Sequence, residues 1–219
     1  MPGTNNPLGV VQAVRMRVSL LDSNGVPTPG AGKGYVSSAL TELVFKPVTA
    51  DAPDIEERNG EGVVCVSYKG KKTLKRIEGT IKLCTPDPYL LVFLAGASLI
   101  DIGNAKPFGW QYPAIGEINP PPISIEVWSR RVDDGVEDIN FPYEWGVLPR
   151  VKNMMLGEHK LANGAVMPTI DFEGYENPNW FDGPDERWIG ASDRVFNSQP
   201  IPASYLPVAS TSPTATVAS

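Results

Sequence analysis

The sequence is poor in the residues that build chemical sites. One histidine and two cysteines in 219 residues cannot supply a four-ligand zinc centre or a disulfide framework. Cys65 and Cys84 have eighteen residues between them and no His or Cys beside them. They read as small buried core residues, left as thiols in a cytosolic fold. His159 follows Gly157-Glu158 and precedes the hairpin-like Leu161-Ala162-Asn163-Gly164. It reads as an exposed turn residue rather than a positioned general base. No Gly-x-Ser-x-Gly elbow exists. Gly30-Ala31-Gly32-Lys33-Gly34 fails as a phosphate loop: Pro27 stands where the first glycine belongs, and Gly34 where a Ser or Thr would hold magnesium. These absences predict no enzyme, no catalytic residues, no cofactor and no metal.

Long apolar runs are also missing. None approaches the ~20 residues of a membrane helix, and the opening Met-Pro-Gly-Thr-Asn-Asn-Pro lacks the basic and apolar regions of a signal peptide. No membrane partner is expected. Long helices have little room, because 22 prolines and 21 glycines are spread along the chain and break it into short runs. The expected class is all-β, mainly antiparallel, with one short helix.

What charge there is divides unevenly. Residues 1–84 carry 11 Lys/Arg and 8 Asp/Glu, net +3; residues 85–219 carry 8 and 17, net −9, which together give the formal −6. An acidic majority argues against sequence-specific DNA binding and against an anionic membrane surface.

Residues 10–21 alternate as a strand, with Val14, Met16, Val18 and Leu20 on one face and Arg15, Arg17 and Ser19 on the other. Asp22-Ser23-Asn24-Gly25 signals a turn, and residues 40–48 a second strand. The acidic stretch 49–61 holds a short central strand, and Asn59-Gly60 turns it into residues 63–68. The basic turn Lys69-Gly70-Lys71-Lys72 leads to a long strand over 73–84, with a bulge expected near Gly79. A helix follows, with Thr85 as N-cap, Pro86 in its first position, Asp87 in its first turn, Leu90, Leu91, Phe93 and Leu94 as its apolar stripe, and Gly96 ending it. Further strands are expected at 98–102, 123–131, 145–153 and 166–172. Residues 174–190 read as an ordered aromatic loop. The division is one β domain over 1–198 and an extended or disordered C-terminal arm over 199–219.

Two acidic clusters have a chemical reading. Trp180, Asp182, Asp185, Glu186 and Trp188 form a possible sugar site, which makes a carbohydrate-binding or carbohydrate-active β-sandwich the alternative function. Residues 133–138 form a possible calcium loop, without EF-hand spacing. The basic cluster Lys69, Lys71, Lys72, Lys75 and Arg76 lacks interleaved aromatics beyond Tyr68 and reads as a hairpin tip.

A series of short motifs carries a resemblance. It runs Glu57-Arg58-Asn59-Gly60, residues 63–68, Leu74-Lys75-Arg76 and Leu83-Cys84-Thr85-Pro86-Asp87-Pro88. It continues through Gly109-Trp110-Gln111-Tyr112-Pro113-Ala114, residues 124–129, Leu148-Pro149-Arg150-Val151, Glu176-Asn177-Pro178-Asn179-Trp180 and Asp182-Gly183-Pro184. Taken in order over 55–197, it resembles the major tail protein family of actinobacterial siphophages. That resemblance implies a two-sheet tail-tube sandwich flanked by a helix at 86–95. It also implies assembly with itself into stacked six-fold rings. Implied partners are the tape measure, terminator and distal tail proteins, with double-stranded DNA only in transit. The implied location is the virion tail, after assembly in the bacterial cytoplasm. A tail terminator or a decoration protein would share parts of the pattern. Within such a tube, 49–61 is expected to project toward the adjacent ring, with Asp54, Glu56 and Glu57 as interface residues. Lys69, Lys71 and Lys72 are expected to face a neighbouring subunit, away from an acidic channel wall.

Overall fold

The structure is a computed structural model and describes residues 9–28, 32–100, 109–116, 120–133, 136–157, 167–181, 183–184, 187–188 and 194–210. Its strands are β1 (Gly9–Leu20), β2 (Gly34–Ser37), β3 (Leu40–Asp51), β4 (Ile55–Arg58), β5 (Val64–Tyr68), β6 (Lys72–Leu83), β7 (Ser98–Ile100), β8 (Gly109–Gln111), β9 (Ile123–Asp133), β10 (Val136–Glu137), β11 (Tyr143–Leu156), β12 (Thr169–Tyr175) and β13 (Asn197–Ile201), with one helix, α1 (Pro88–Ala95). The architecture is mainly antiparallel β, sandwich-like, with a short helix. β2, β8, β10 and β13 are too short, or too polar, to stand out as periodic runs in the sequence.

The main sheet runs β2-β1-β9-β11-β12-β6-β3, with β10 added on β9 and β13 on β11. β11 serves both halves: residues 143–151 pair with β9, and 143–147 also with β13, whereas 150–156 pair with β12. Two register shifts fall between Leu148 and Val151 and between Lys152 and Met155. They keep Leu148, Val151 and Met154, spaced by three, on the core face, where an unbulged strand would alternate them. β1 comes back against β3, and the core lies between the two halves of the sheet. Met16, Val18, Ile123 and Ile125 meet Ile77, Ile81, Ile170 and Phe172 there, with Leu90, Leu91 and Leu94 of α1.

Three local expectations are corrected. The strand 73–84 has no bulge at Gly79: β3 and β6 keep register there, with Phe45 opposite Gly79. The shift lies at Lys75, between the Val48–Arg76 and Thr49–Leu74 pairs. Gly79 interrupts the apolar face for a steric reason, since a Cβ would sit 2.4 Å from the Val44 carbonyl oxygen and 2.5 Å from Phe172 Cζ. The N-cap of α1 is Asp87, not Thr85. The Asp87 carboxylate accepts from Leu90 N–H at 3.3 Å, Pro88 opens the helix, and Gly96 closes it at φ 63°. The apolar stripe is buried as expected. Val14 joins the opposite cluster from Met16 and Val18, because β1 is irregular on both sides of Ala13.

The outer face of the β1–β9–β11 half is covered too. Trp128 and Trp145 stack at 5.6 Å, and Trp188 meets Trp145 edge-on at 5.2 Å and Trp180 at 5.8 Å. Val147, Ile201, Tyr205 and Leu206 complete this second cluster. Beside it lies a buried cross-strand ion pair, the Arg17 guanidinium donating to Glu126, with Arg17 also 5.4 Å over the Trp128 ring. The segment after 199 is therefore docked as far as it is described. Asn197–Ile201 is a strand on β11, and Ser210 reaches β2. No helix among the described residues is long and apolar enough to cross a membrane.

Candidate assembly arm

β3 and β6 outrun the sheet. β12 pairs with β6 only over residues 77–82, while β3 follows β6 out to the Asp51–Lys72 pair. Beyond that ribbon, β4 and β5 form a separate hairpin. Asn59 shapes its turn by accepting from the N–H groups of Glu61 and Val63 at 3.0 and 2.9 Å. At the junction, Gly70 donates its N–H to the Asp54 carboxylate at 2.7 Å. A Cβ on Gly70 would lie 1.9 Å from the Ala52 carbonyl oxygen, so only glycine lets the two strands pass this closely. At ~3.3 Å per residue, the ten steps from Val48 to Arg58 reach roughly 30 Å.

Every residue from 49 to 69 is exposed. The hairpin nevertheless has an apolar side. Ile55 faces Tyr68 and Glu57 faces Val66 across the ladder, while Glu56 and Ser67 occupy the other side. Ile55, Val66 and Tyr68 are 48 %, 53 % and 54 % exposed, and Val63 at the tip and Leu74 in the ribbon are comparable. A two-stranded hairpin is marginal in water by itself. This one leaves its best apolar residues uncovered.

The expected interface residues all lie on this arm, but several are engaged within it. Asp54 is tied to Gly70, Glu56 pairs with Arg58 at 2.5 Å, and Lys72 meets Asp51 at 3.4 Å. Glu57, Lys69 and Lys71 are exposed and have no ion pair among the described residues. Charge is graded along the arm: Glu56, Glu57, Arg58 and Glu61 leave the distal part acidic. Lys69, Lys71, Lys72, Lys75 and Arg76 against Asp51 and Asp54 leave the root basic. The sequence reading missed the role of Gly70 and the length of the ribbon. A glycine inside a lysine turn, opposite Ala52-Pro53-Asp54, was the available signal.

At the root, Arg76 pairs with Glu78 at 2.5 Å and with Glu173 at 3.2 Å. Glu173 also accepts from the Tyr175 hydroxyl at 2.7 Å and from the Asn153 amide at 2.5 Å. These hydrogen bonds, Tyr175 first, then Asn153, and the Arg76 charge hold its carboxyl below the ordinary glutamate range. Asn153 occupies φ 52° at the second β11 shift, a conformation asparagine tolerates. This network borders an open cleft of about 780 Å³ on the outer face of β3, β6, β12 and β11.

Among the described residues, the other sequence candidates do not assemble into a chemical site. Trp180 and Trp188 are 1 % and 3 % exposed, so neither offers a face for a sugar ring; Asp182, Asp185 and Glu186 lie outside the described residues. In the acidic loop, Glu137 pairs with Arg130, and Asp138 accepts from the N–H groups of Asn140 and Phe141. Asp134 lies outside the described residues, as does the Asp133 side chain. No cluster of three metal-ligating side chains occurs among the described residues. His159 also lies outside them, as do Gly30 and Ala31. Cys65 and Cys84 are free thiols but both exposed, not core residues: Cys65 rides on the arm, and Cys84 leaves β6 before α1. No protein-family model matches the chain, and no curated protein matches it.

Proposed function

We propose that this chain is a structural, non-enzymatic subunit that assembles with itself into stacked rings, the tail tube of a bacteriophage through which DNA leaves. The observation that supports this best is the arm. A folded subunit that holds out a hairpin with Ile55, Val66 and Tyr68 uncovered has surface made for another protein. Exposed ribbon edges likewise need a partner, or they pair indiscriminately. The motif series supplies the identity of the partner: a second copy, in six-fold rings stacked along one axis. Obligate assemblies of this kind bury on the order of 2,000 Å² or more, and an arm reaching roughly 30 Å contributes to that area on an adjacent ring. The −9 balance after residue 84 supplies carboxylates for a channel wall that does not hold the duplex, effective only within about 8 Å at physiological salt.

Negative-stain microscopy with sedimentation, over a range of concentrations and salt, tests the reading. Rings or tubes are expected from the full chain, and dispersed, folded subunits from a variant lacking residues 51–57. A folded monomer under every condition would overturn the proposal. Normal tubes from the deletion variant would remove the arm from it.

A further inference from the structure

On the outer face of β3, β6, β12 and β11, one cross-strand row runs straight across the four strands. Val44 pairs with Thr80, Thr80 with Asp171, and Asp171 with Met155. The two ends of the row are apolar and open, Val44 at 53 % and Met155 at 56 % exposure. Its middle is polar but engaged, the Thr80 hydroxyl donating to the Asp171 carboxylate at 2.7 Å. All four residues line the open cleft of about 780 Å³. The next row holds Lys46, Glu78 and Glu173. Arg76 pairs with both carboxylates, and Lys46 has no ion pair among the described residues. The arm's uncovered side is the counterpart of this surface: Ile55, Val66 and Tyr68 surround Glu57, which also has no ion pair among the described residues. The arm does not cover its own cleft. β3 and β6 stay paired from Val44–Thr80 out to Asp51–Lys72, and the hairpin would have to break that ladder to fold back.

We propose that the arm of one copy seats its apolar side in this cleft of a second copy, with Glu57 meeting Lys46. This rests on the self-assembly reading above and names the surface that receives the arm. Size and chemistry both match. Val44 and Met155 stand three strand spacings apart, roughly 14 Å, and the two strands of a hairpin, about 5 Å apart, fit between them. Met155 is unbranched and adapts to the surface it meets. Tyr68 brings a hydroxyl donor to the polar middle of the row. The unpaired carboxylate of one surface meets the unpaired ammonium of the other, which sets the register of the contact. Each copy gives an arm at one place and receives one at another. That head-to-tail relation propagates a stack along the direction of the arm rather than closing a pair.

Charge reversal in the full chain tests the seat. Lys46→Glu and Glu57→Lys are each expected to raise the concentration needed for assembly by about tenfold or more, and the double variant to return it close to the wild-type value. Weakened folding from Lys46→Glu alone would not be repaired by a second change out on the arm. Single variants that assemble like wild type, or a double variant no better than the singles, would overturn the seat. Cross-linking gives a second readout. In a Cys65→Ser, Cys84→Ser background, Val66→Cys subunits are mixed with Met155→Cys subunits, assembled and treated with a short bismaleimide. Denaturing gels are expected to show covalent dimer from the mixture and monomer from either variant alone. Monomer from the mixture, with tubes visible in the same sample, would overturn the seat and leave the tube reading standing. Absence of assembled material from the wild-type chain would overturn both.

Discussion

The sandwich body and the arm use the same kinds of residue to opposite ends. On β9, both faces are buried: Ile123 and Ile125 enter the core, while Ser124, Glu126 and Trp128 lie at 0–1 % exposure on the other face, Trp128 within the tryptophan cluster. On β5, Val66 is as apolar as Val127 of β9 and Tyr68 adds an aromatic ring, yet neither face is covered. Composition therefore does not separate the two regions. Coverage does, and it shows where this chain's own packing ends.

The largest effect that should expose this difference is a charge in the body. Leu91→Asp would place an unpaired carboxylate at a site with 0 % exposure, a cost of about 4 kcal/mol or more. Loss of soluble, cooperatively unfolding protein is the expected outcome. Wild-type solubility and melting would mean that α1 does not seal the core.

Two glycines offer a matched comparison at intermediate size. Gly79 and Gly70 each leave no room for a Cβ against backbone, at 2.4 and 1.9 Å, but one lies in the body and the other at the arm's root. Gly79→Ala should destabilise by about 1–3 kcal/mol in denaturant titration, as overpacking does. Gly70→Ala should leave the main transition in place and stop assembly, because the strain relaxes in the ribbon. Equal losses of stability would mean that the arm folds as one unit with the body.

Smaller still in stability, though not in assembly, is the hairpin's apolar side. Val66→Asp or Tyr68→Asp changes an exposed position, so unfolding should shift by no more than about 0.5 kcal/mol. Sedimentation should then show subunits where the wild type gives rings. Tubes of ordinary length from both variants would detach this face from assembly.

How much of this was legible follows the same division. Strands with an alternating apolar face were readable: β1, β3, β6 and β9 were all found, since a buried face imposes period two, and β11 was found although two register shifts space its core residues by three. The helix stripe was readable too, but its start was misplaced by two residues. Thr85-Pro86 and Asp87-Pro88 are both cap-and-proline pairs, and only the second has its carboxylate within reach of Leu90 N–H. The bulge assigned to Gly79 was an error of cause: a glycine in an apolar face meant a neighbour's ring, that of Phe172, rather than an extra residue. Trp180 and Trp188 of the aromatic loop read as part of a possible sugar platform, a role that their burial removes. Sequence shows that Trp180 and Trp188 are present, whereas their burial depends on Trp145, more than thirty residues away. The 49–61 projection was legible from its polarity. The apolar side opposite it was not, since it appears only once Ile55, Val66 and Tyr68 are brought onto one face.

The smallest expected effect sits at the boundary between body and arm. Glu173 belongs to β12 and Arg76 to the root of the arm, so their contact couples the two regions. Hydrogen bonds from Tyr175 and Asn153, with the Arg76 charge, lower the folded carboxyl below its ordinary value. A depressed carboxyl contributes stability that is fully present above the unfolded value, about 4.3, and is lost as pH falls through the lower folded value. The group is partly exposed, at 23 % of its side-chain surface, so solvent screens much of the interaction and the effect is modest. Melting followed from pH 6 to pH 3 should therefore show a loss below about pH 4.3 in the wild type, and a shallower one in Glu173→Gln. Because the contact ties Arg76 to the body, amide exchange at residues 72–76, taken relative to the intrinsic rate at each pH, should rise over the same pH range. Exchange that rises equally in Glu173→Gln would locate the acid sensitivity elsewhere. Exchange that does not rise at all would show that the root of the arm is held by the β3–β6 ladder alone.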